Sequence, residues 1–202
     1  GTCSATLIAP DVIATAAHCI AQDGGFDARA TFVSASGEHR ARVTAYLVDP
    51  AYGLERFNRF EINGLDWALL RLDQPLGEPL GYATPRRVGG QPLPIDLMQA
   101  GYAWDTGAVL TGHVSCRMLE VRLDNTFAHA CDTTRGDSGS GFIVRNGETF
   151  DLVGIDSAFH PNVTGPDSYV AVSAGSFAPL AADFIAGRTG MPVGRLRPPK
   201  PR

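Results

Sequence analysis

Arg135-Gly136-Asp137-Ser138-Gly139-Ser140-Gly141 sets one serine among glycines, with Cys131 and Asp132 just before it and the apolar run Phe142-Ile143-Val144 after it. Glycine on both sides lets the backbone turn tightly and approach a ligand closely. A hydroxyl presented in such a turn is exposed, and neighbouring N–H groups can point into one small space. That would suit a nucleophile with an oxyanion hole. A surface turn between two strands would use the same residues. The rest of the chain decides between the two.

The 202 residues suffice for one substantial core or for two small ones that share an interface. A hydrophobic content of 44% with 19% charged residues describes a globular chain. The 23 glycines and 14 prolines favour many short strands over long helices. Arg195, Arg197, Lys200 and Arg202 lie in the last eight residues, so the remainder carries about −8 of the net −4. An acidic body argues against nucleic acid as a partner. No apolar run approaches the length of a membrane span, and the start shows no charged n-region with an apolar h-region.

Cys3, Cys19, Cys116 and Cys131 fall into two local pairs, one in each half. The even count and the pairing favour two disulfides and an oxidising compartment, secreted or periplasmic. Zinc is the rival, but no CxxC or close His/Cys cluster supports it. No metal or other cofactor is expected.

Residues 3–16 read as two strands joined at Pro10-Asp11, running into Ala17-His18-Cys19. Residues 29–34 and 41–48 alternate in the manner of half-buried strands. After a charged loop, Asp66-Trp67-Ala68-Leu69-Leu70-Arg71-Leu72 is an apolar strand with a carboxylate at its mouth. Residues 73–94 hold several prolines and glycines without a periodic pattern, as a crossing between two halves would. Further strands are expected at 95–102, 107–114, 117–123, 141–145, 150–157 and 168–173. A helix is expected from Ser176, as N-cap, to about Arg188, where Phe177, Leu180, Ala181, Phe184 and Ile185 recur at helical spacing. Beyond Met191 the Pro- and Arg-rich chain is expected to be disordered.

Acyl transfer by serine needs a base, a carboxylate to orient it, and donors for the oxyanion. His18 lies where a strand ends, Asp66 where another begins, and Ser138 in the glycine loop. Each alone has a plain structural explanation, as a packed histidine, a turn carboxylate or a loop serine. Their joint occurrence in this order is much harder to obtain by accident.

Thr15-Ala16-Ala17-His18-Cys19, Asp66-Trp67-Ala68-Leu69-Leu70 and Gly136-Asp137-Ser138-Gly139-Ser140 resemble the three catalytic blocks of chymotrypsin/trypsin-like serine proteases. The likeness covers roughly residues 3–190. Cys3 and Cys19 match the family's disulfide beside the catalytic histidine, and Leu152-Val153-Gly154-Ile155-Asp156-Ser157 resembles the strand beneath the bound peptide. The context Cys131-Asp132-Thr133-Thr134 is similar to the bacterial trypsin-like and glutamyl-endopeptidase-like branch. The resemblance implies an all-β fold of two antiparallel six-stranded β-barrels with a C-terminal helix. Residues 1–74 would form the barrel carrying His18 and Asp66, 75–94 the linker and 95–175 the barrel carrying Ser138. The helix would span 176–190 and a disordered basic tail 191–202. It implies Ser138 as nucleophile, His18 as base and then acid, Asp66 as the orienting carboxylate, and the N–H groups of Gly136 and Ser138 as oxyanion donors. Peptides or proteins would be the substrates.

The chain departs from the family pattern in three ways. The likeness starts at the strand carrying Cys3, so the family's first strand and buried N-terminus are expected to be missing, which leaves open the cationic partner that trypsin-like enzymes give the residue equivalent to Asp137. Ser140-Gly141 stands where animal enzymes carry Gly-Pro. The specificity pocket is ambiguous: Asp132 stands where trypsin has its pocket carboxylate, which would select Arg or Lys, while Asp167 and Ser157 would line the wall. Glutamate specificity would want a basic pocket, for which His160 is the nearby histidine; His39, His113 and His129 read as surface or strand residues. A Gly-Asp-Ser lipase or α/β-hydrolase is disfavoured by residue order and by the absence of βα alternation. A catalytically incompetent relative that uses the fold only for binding is the remaining alternative.

Overall fold

The computed structural model describes residues 2–22, 25–52, 64–90, 92–107, 109–160 and 168–193. The first half contributes β1 (Thr6–Ala9), β2 (Val12–Thr15), β3 (Ala21–Gln22), β4 (Gly25–Phe26), β5 (Thr31–Val33), β6 (Arg40–Val48) and β7 (Ala68–Leu72). A short helix α1 (Gly77–Leu80) and β8 (Thr84–Pro85) lie in the crossing. The second half adds β9 (Ile95–Gly101), β10 (Thr111–Val121), β11 (Thr126–His129), β12 (Gly141–Asn146), β13 (Thr149–His160) and β14 (Ser168–Ser173). Helix α2 (Ala178–Ile185) and β15 (Met191–Pro192) follow.

The C-terminal strands close into a six-stranded barrel, because β12 pairs with both β9 and β13 at the ends of the path β12-β9-β10-β11-β14-β13. Among the described residues the N-terminal strands do not close, which corrects the expectation of two barrels. Their path runs β1-β2-β7-β6-β15, with β5 also on β6. Between the edges of β1 and β5 lies a groove of about 1170 Å³, lined in part by Leu7, Ile13, Phe32, Val43 and Leu70. Among the described residues the first half is therefore an open sheet, and the edges of β1 and β5 do not pair.

Burial explains why β2 and β7 read as unbroken apolar runs. Ile13 and Leu70 face a core with Phe26, Tyr46 and Leu72. On the opposite side, Val12, Ala14 and Leu69 pack against Leu152, Ile155, Val172, Phe177 and Phe184. Strands covered on both faces lose the apolar–polar alternation. A third cluster, with Leu97, Met118, Phe127, Phe142 and Val153, fills the closed barrel.

Four local expectations change. The segments 107–114 and 117–123 are one strand, β10, with an irregular register between His113 and Cys116. Val114, 84% exposed, sits in that irregularity and breaks the pattern. Strand β11 escapes sequence reading because all four of its residues are buried, so no alternation marks it. Ser176 belongs to a 3-10 turn (Ala174–Ser176) and does not cap α2, whose N-cap is Phe177 with Pro179 in the first turn. Met191 and Pro192 pair with Tyr46 and Ala45 of β6, so order extends past the expected helix end. The remaining expected tail, 194–202, lies outside the described residues. Arg71 ties α2 to the N-terminal sheet, bonding Asp11 at 2.5 Å and the carbonyls of Phe184 and Ile185. A cation at a helix C-terminus also complements its dipole.

Candidate active site

His18 and Asp66 meet because of strand register. Strands β2 and β7 are antiparallel with Thr15 opposite Ala68, so the chain two residues beyond Thr15 faces the chain two residues before Ala68. His18 follows in a 3-10 turn (Ala17–Cys19). Trp67, fully buried against Phe177, anchors the mouth of β7. The Cys3–Cys19 disulfide fastens the turn that carries His18, and Cys116–Cys131 fastens the approach to Ser138. Closing a loop of about 15 residues in this way contributes on the order of 3 kcal/mol in a chain-entropy picture.

Asp66 accepts three hydrogen bonds. The His18 backbone N–H donates to Oδ1 at 2.9 Å, His18 Nδ1 to Oδ2 at 2.8 Å, and Ser157 Oγ to Oδ2 at 2.5 Å. With its Nδ1–H held by the carboxylate, neutral His18 keeps a lone pair on Nε2. Burial works against the imidazolium, but the hydrogen bond and charge of Asp66, with a smaller contribution from Asp156, outweigh it. They hold the His18 pKa above its ordinary 6.5. Burial likewise favours neutral Asp66, yet the His18 charge and the donors from His18 and Ser157 hold it below the ordinary 3.8.

The glycine-serine loop that carries Ser138 is sewn to both halves of the molecule. Ser4 N–H donates to Ser138 O at 2.9 Å, Ser4 Oγ donates to Gly136 O at 2.8 Å, and Tyr102 N–H donates to Ser4 Oγ at 2.9 Å. Ser138 O also lies 3.8 Å from Cys19 Sγ, which places the loop beside the His18 turn. Two positions demand glycine. Gly136 has φ +100 and a Cβ there would lie 2.2 Å from Tyr102 O; Gly139 has φ +85 and its Cβ would lie 2.1 Å from Thr15 Oγ1.

Counting the loop's N–H groups separates structure from chemistry. Asp137 N–H binds Thr134 O, Gly139 N–H binds Asp156 O, and Ser140 N–H binds Asp137 O. Among the described residues the N–H groups of Gly136 and Ser138 have no acceptor. Two unspent donors flanking a serine hydroxyl are what an oxyanion requires.

Asp137 is 2% exposed. Its carboxylate takes the Thr134 N–H at 3.0 Å and the amide of Gln99, whose Nε2 also donates to Ser140 Oγ at 2.8 Å. Burial pushes its pKa up despite these donors. Gly101 leaves room for this carboxylate, since a Cβ there would lie 2.2 Å from Asp137 Oδ1.

The pocket residues expected from sequence divide differently. Ser157 joins Asp66. Asp132 is exposed, and among the described residues its side chain makes no hydrogen bond or ion pair. Asp167 and the side chain of His160 lie outside the described residues. His129, read as a strand or surface residue, is on β11 and 2% exposed. Ser4, Gln99 and Asp156 carried no signal that singled them out. Cys3, His18 and Cys19 cluster within 4.8 Å, but the two sulfurs are joined to each other and offer no thiolate to a metal.

Comparison with known proteins now bears on this geometry. The family model described as Trypsin matches residues 1–180. The chain belongs to the trypsin family. It is 27% identical over 192 residues to a protein named trypsin from Saccharopolyspora erythraea, an alignment covering 77% of this chain and 74% of that one. Its fold is similar to a solved Glu endopeptidase in complex with MPD, with a TM-score of 0.72, 22% identity, and coverage of 93% of this chain and 86% of the other. At that identity the second likeness speaks for the chymotrypsin-like fold alone.

Proposed function

We propose that this trypsin-family protein is a serine endopeptidase, acting on peptide or protein substrates in an oxidising, extracellular setting. Ser138 Oγ attacks the scissile carbonyl while His18 Nε2 takes its proton. Asp66 holds the imidazole tautomer and favours the imidazolium, and the N–H groups of Gly136 and Ser138 receive the developing oxyanion. His18 then gives the proton to the leaving amine, and water repeats the sequence on the acyl-enzyme.

The observation that carries the reading is the coincidence of a tautomer-fixed histidine with two unspent N–H donors at the serine loop. Either alone would be unremarkable in a β-protein. The test is hydrolysis of a labelled protein substrate by the purified chain and by Ser138→Ala. Loss of the nucleophile typically removes roughly a million-fold of turnover. Equal hydrolysis by both proteins would refute the assignment.

A further inference from the structure

The two disulfides differ in what can reach them. Cys116 and Cys131 are buried in the apolar cluster that fills the closed barrel. Cys3 and Cys19 are half-buried, and both line the groove left by the open sheet. Thiol–disulfide exchange requires a thiolate to approach a sulfur atom. A small thiol from solvent therefore meets Cys3–Cys19 before Cys116–Cys131.

The 3-10 turn that carries Cys19 also carries His18, so breaking this bond changes the chemistry beside the imidazole. Among the described residues Cys3, His18 and Cys19 are the one group of histidine, cysteine and carboxylate side chains whose ligand atoms all lie within 4.8 Å of one another. Cys3 precedes β1 and Cys19 follows β2, and the antiparallel pairing of these strands brings the two ends together. The set therefore forms by folding, without the CxxC spacing that would mark it in the sequence. Zinc holds thiolate sulfur at about 2.3 Å and imidazole nitrogen at about 2.1 Å, so its tetrahedral neighbours stand about 3.5–3.8 Å apart. Rotation of the freed cysteine side chains between staggered rotamers can reach that spacing. His18 Nδ1 donates to Asp66, so Nε2 is the nitrogen with a lone pair to give. Two soft thiolates and an imidazole suit zinc, and a water can complete the four ligands.

We propose that reduction of Cys3–Cys19 creates an inhibitory zinc site made of the Cys3 and Cys19 thiolates and His18 Nε2. A dithiol supplies the two electrons. Its thiolate attacks one cysteine sulfur and the S–S bond breaks; its second thiol resolves the mixed disulfide and leaves as a cyclic disulfide, with Cys3 and Cys19 as thiols. Zn2+ then displaces one proton from each thiol to solvent, and the two thiolates balance the charge of the ion. The lone pair that would take the Ser138 proton is now bound to zinc, and hydrolysis stops. A chelator restores it. The metal site stands on the cysteine–histidine cluster alone, and its inhibitory effect rests also on His18 being the base in the proposed function.

The experiment treats the folded protein with a dithiol and removes the reagent by desalting under argon. Thiols are located by alkylation and peptide mapping, and the reduced protein is titrated with Zn2+ and with Co2+, whose thiolate complexes absorb. Thiols are expected on Cys3 and Cys19, with Cys116–Cys131 intact. The reduced protein should bind about one Zn2+ per chain and lose at least about tenfold in peptide hydrolysis, reversed by EDTA. Oxidised protein, and reduced protein alkylated before the metal is added, should keep their activity at the same Zn2+. Reduced His18→Ala should bind Co2+ at least about tenfold more weakly than reduced wild type.

The proposal is overturned if Cys116–Cys131 is reduced first, or if the reduced protein has lost its near-UV circular dichroism or its activity before zinc is added. It is equally overturned by a reduced protein that binds no zinc, that binds zinc without losing hydrolysis, or that is inhibited no more than the oxidised or alkylated protein. An unchanged Co2+ affinity in His18→Ala puts the metal elsewhere and has the same consequence. A protein that hydrolyses no peptide before reduction contradicts the proposed function instead, and the Co2+ titration then decides the metal site by itself.

Discussion

Ser157 Oγ and His18 Nδ1 donate to the same oxygen of Asp66, Oδ2, at 2.5 and 2.8 Å. The hydroxyl comes from the C-terminal barrel and the imidazole from the N-terminal sheet, so the carboxylate is positioned only when the two halves are docked. Asp66 is accordingly the most exacting place to test the electrostatics.

Asp66→Asn removes most of what raises His18, leaving only the smaller contribution of Asp156 against the burial that lowers it. The kcat/KM profile of wild type should rise with pH through an apparent value above 6.5, and that limb should move to lower pH in the variant. The maximal rate should drop about 10⁴-fold, as expected when a triad loses its orienting carboxylate. Stability follows with a definite sign. The raised His18 contributes fully below 6.5 and is lost as pH rises through its folded value; the lowered Asp66 contributes above 3.8 and is lost as pH falls through its own. Denaturant melts should therefore separate wild type from variant most between about pH 4 and 6.5.

Ser157→Ala takes one donor from a carboxylate that is 4% exposed and leaves the rest of the constellation in place. A hydrogen bond to a charged group is worth about 1.5–3 kcal/mol, so the melting temperature should fall by several degrees. kcat should drop about tenfold or more, with KM little changed.

Gly139→Ala should abolish turnover, because its Cβ would meet Thr15 Oγ1 at 2.1 Å and Ser4 O at 2.4 Å in a conformation that L residues rarely adopt. Ser4→Ala is milder. It removes a hydroxyl that joins Gly136 O to Tyr102 N–H, and the expected loss is about 1–3 kcal/mol of stability with a lower kcat. Kinetics and thermal melts on the two variants should rank them in that order.

The sequence made some of this architecture readable and hid the rest for identifiable reasons. His18, Asp66 and Ser138 sit at strand ends or in a glycine turn, where local composition advertises them. Ser4, Gln99 and Asp156 act across the chain, with Ser4 and Gly136 separated by 132 positions, and no local pattern encodes such a contact. Asp132 stands out because its spacing to Ser138 is legible in the sequence, whereas its exposure is not. The two halves look alike in strand pattern, but closure depends on whether the outer strands pair, which β12 and β13 do and β1 and β5 do not.

Gln99→Leu removes the amide that serves both Ser140 and Asp137. Burial already pushes Asp137 up, so losing a donor raises it further, and the loop that carries Ser138 loses a tie. The variant should keep its fold, lose about 1–3 kcal/mol of stability and show reduced kcat, while Gln99→Glu, a like charge beside Asp137, should be worse. Matched thermal melts and steady-state kinetics check the ordering.

The central claim is that Ser138 is a nucleophile activated by His18 and Asp66. Its most direct measurement is reaction of the folded protein with a fluorophosphonate, followed by peptide mass mapping. The account predicts one stoichiometric adduct on Ser138, formed far more slowly in His18→Ala and absent in Ser138→Ala. A folded protein that remains unlabelled, or that carries its adduct elsewhere, would contradict it.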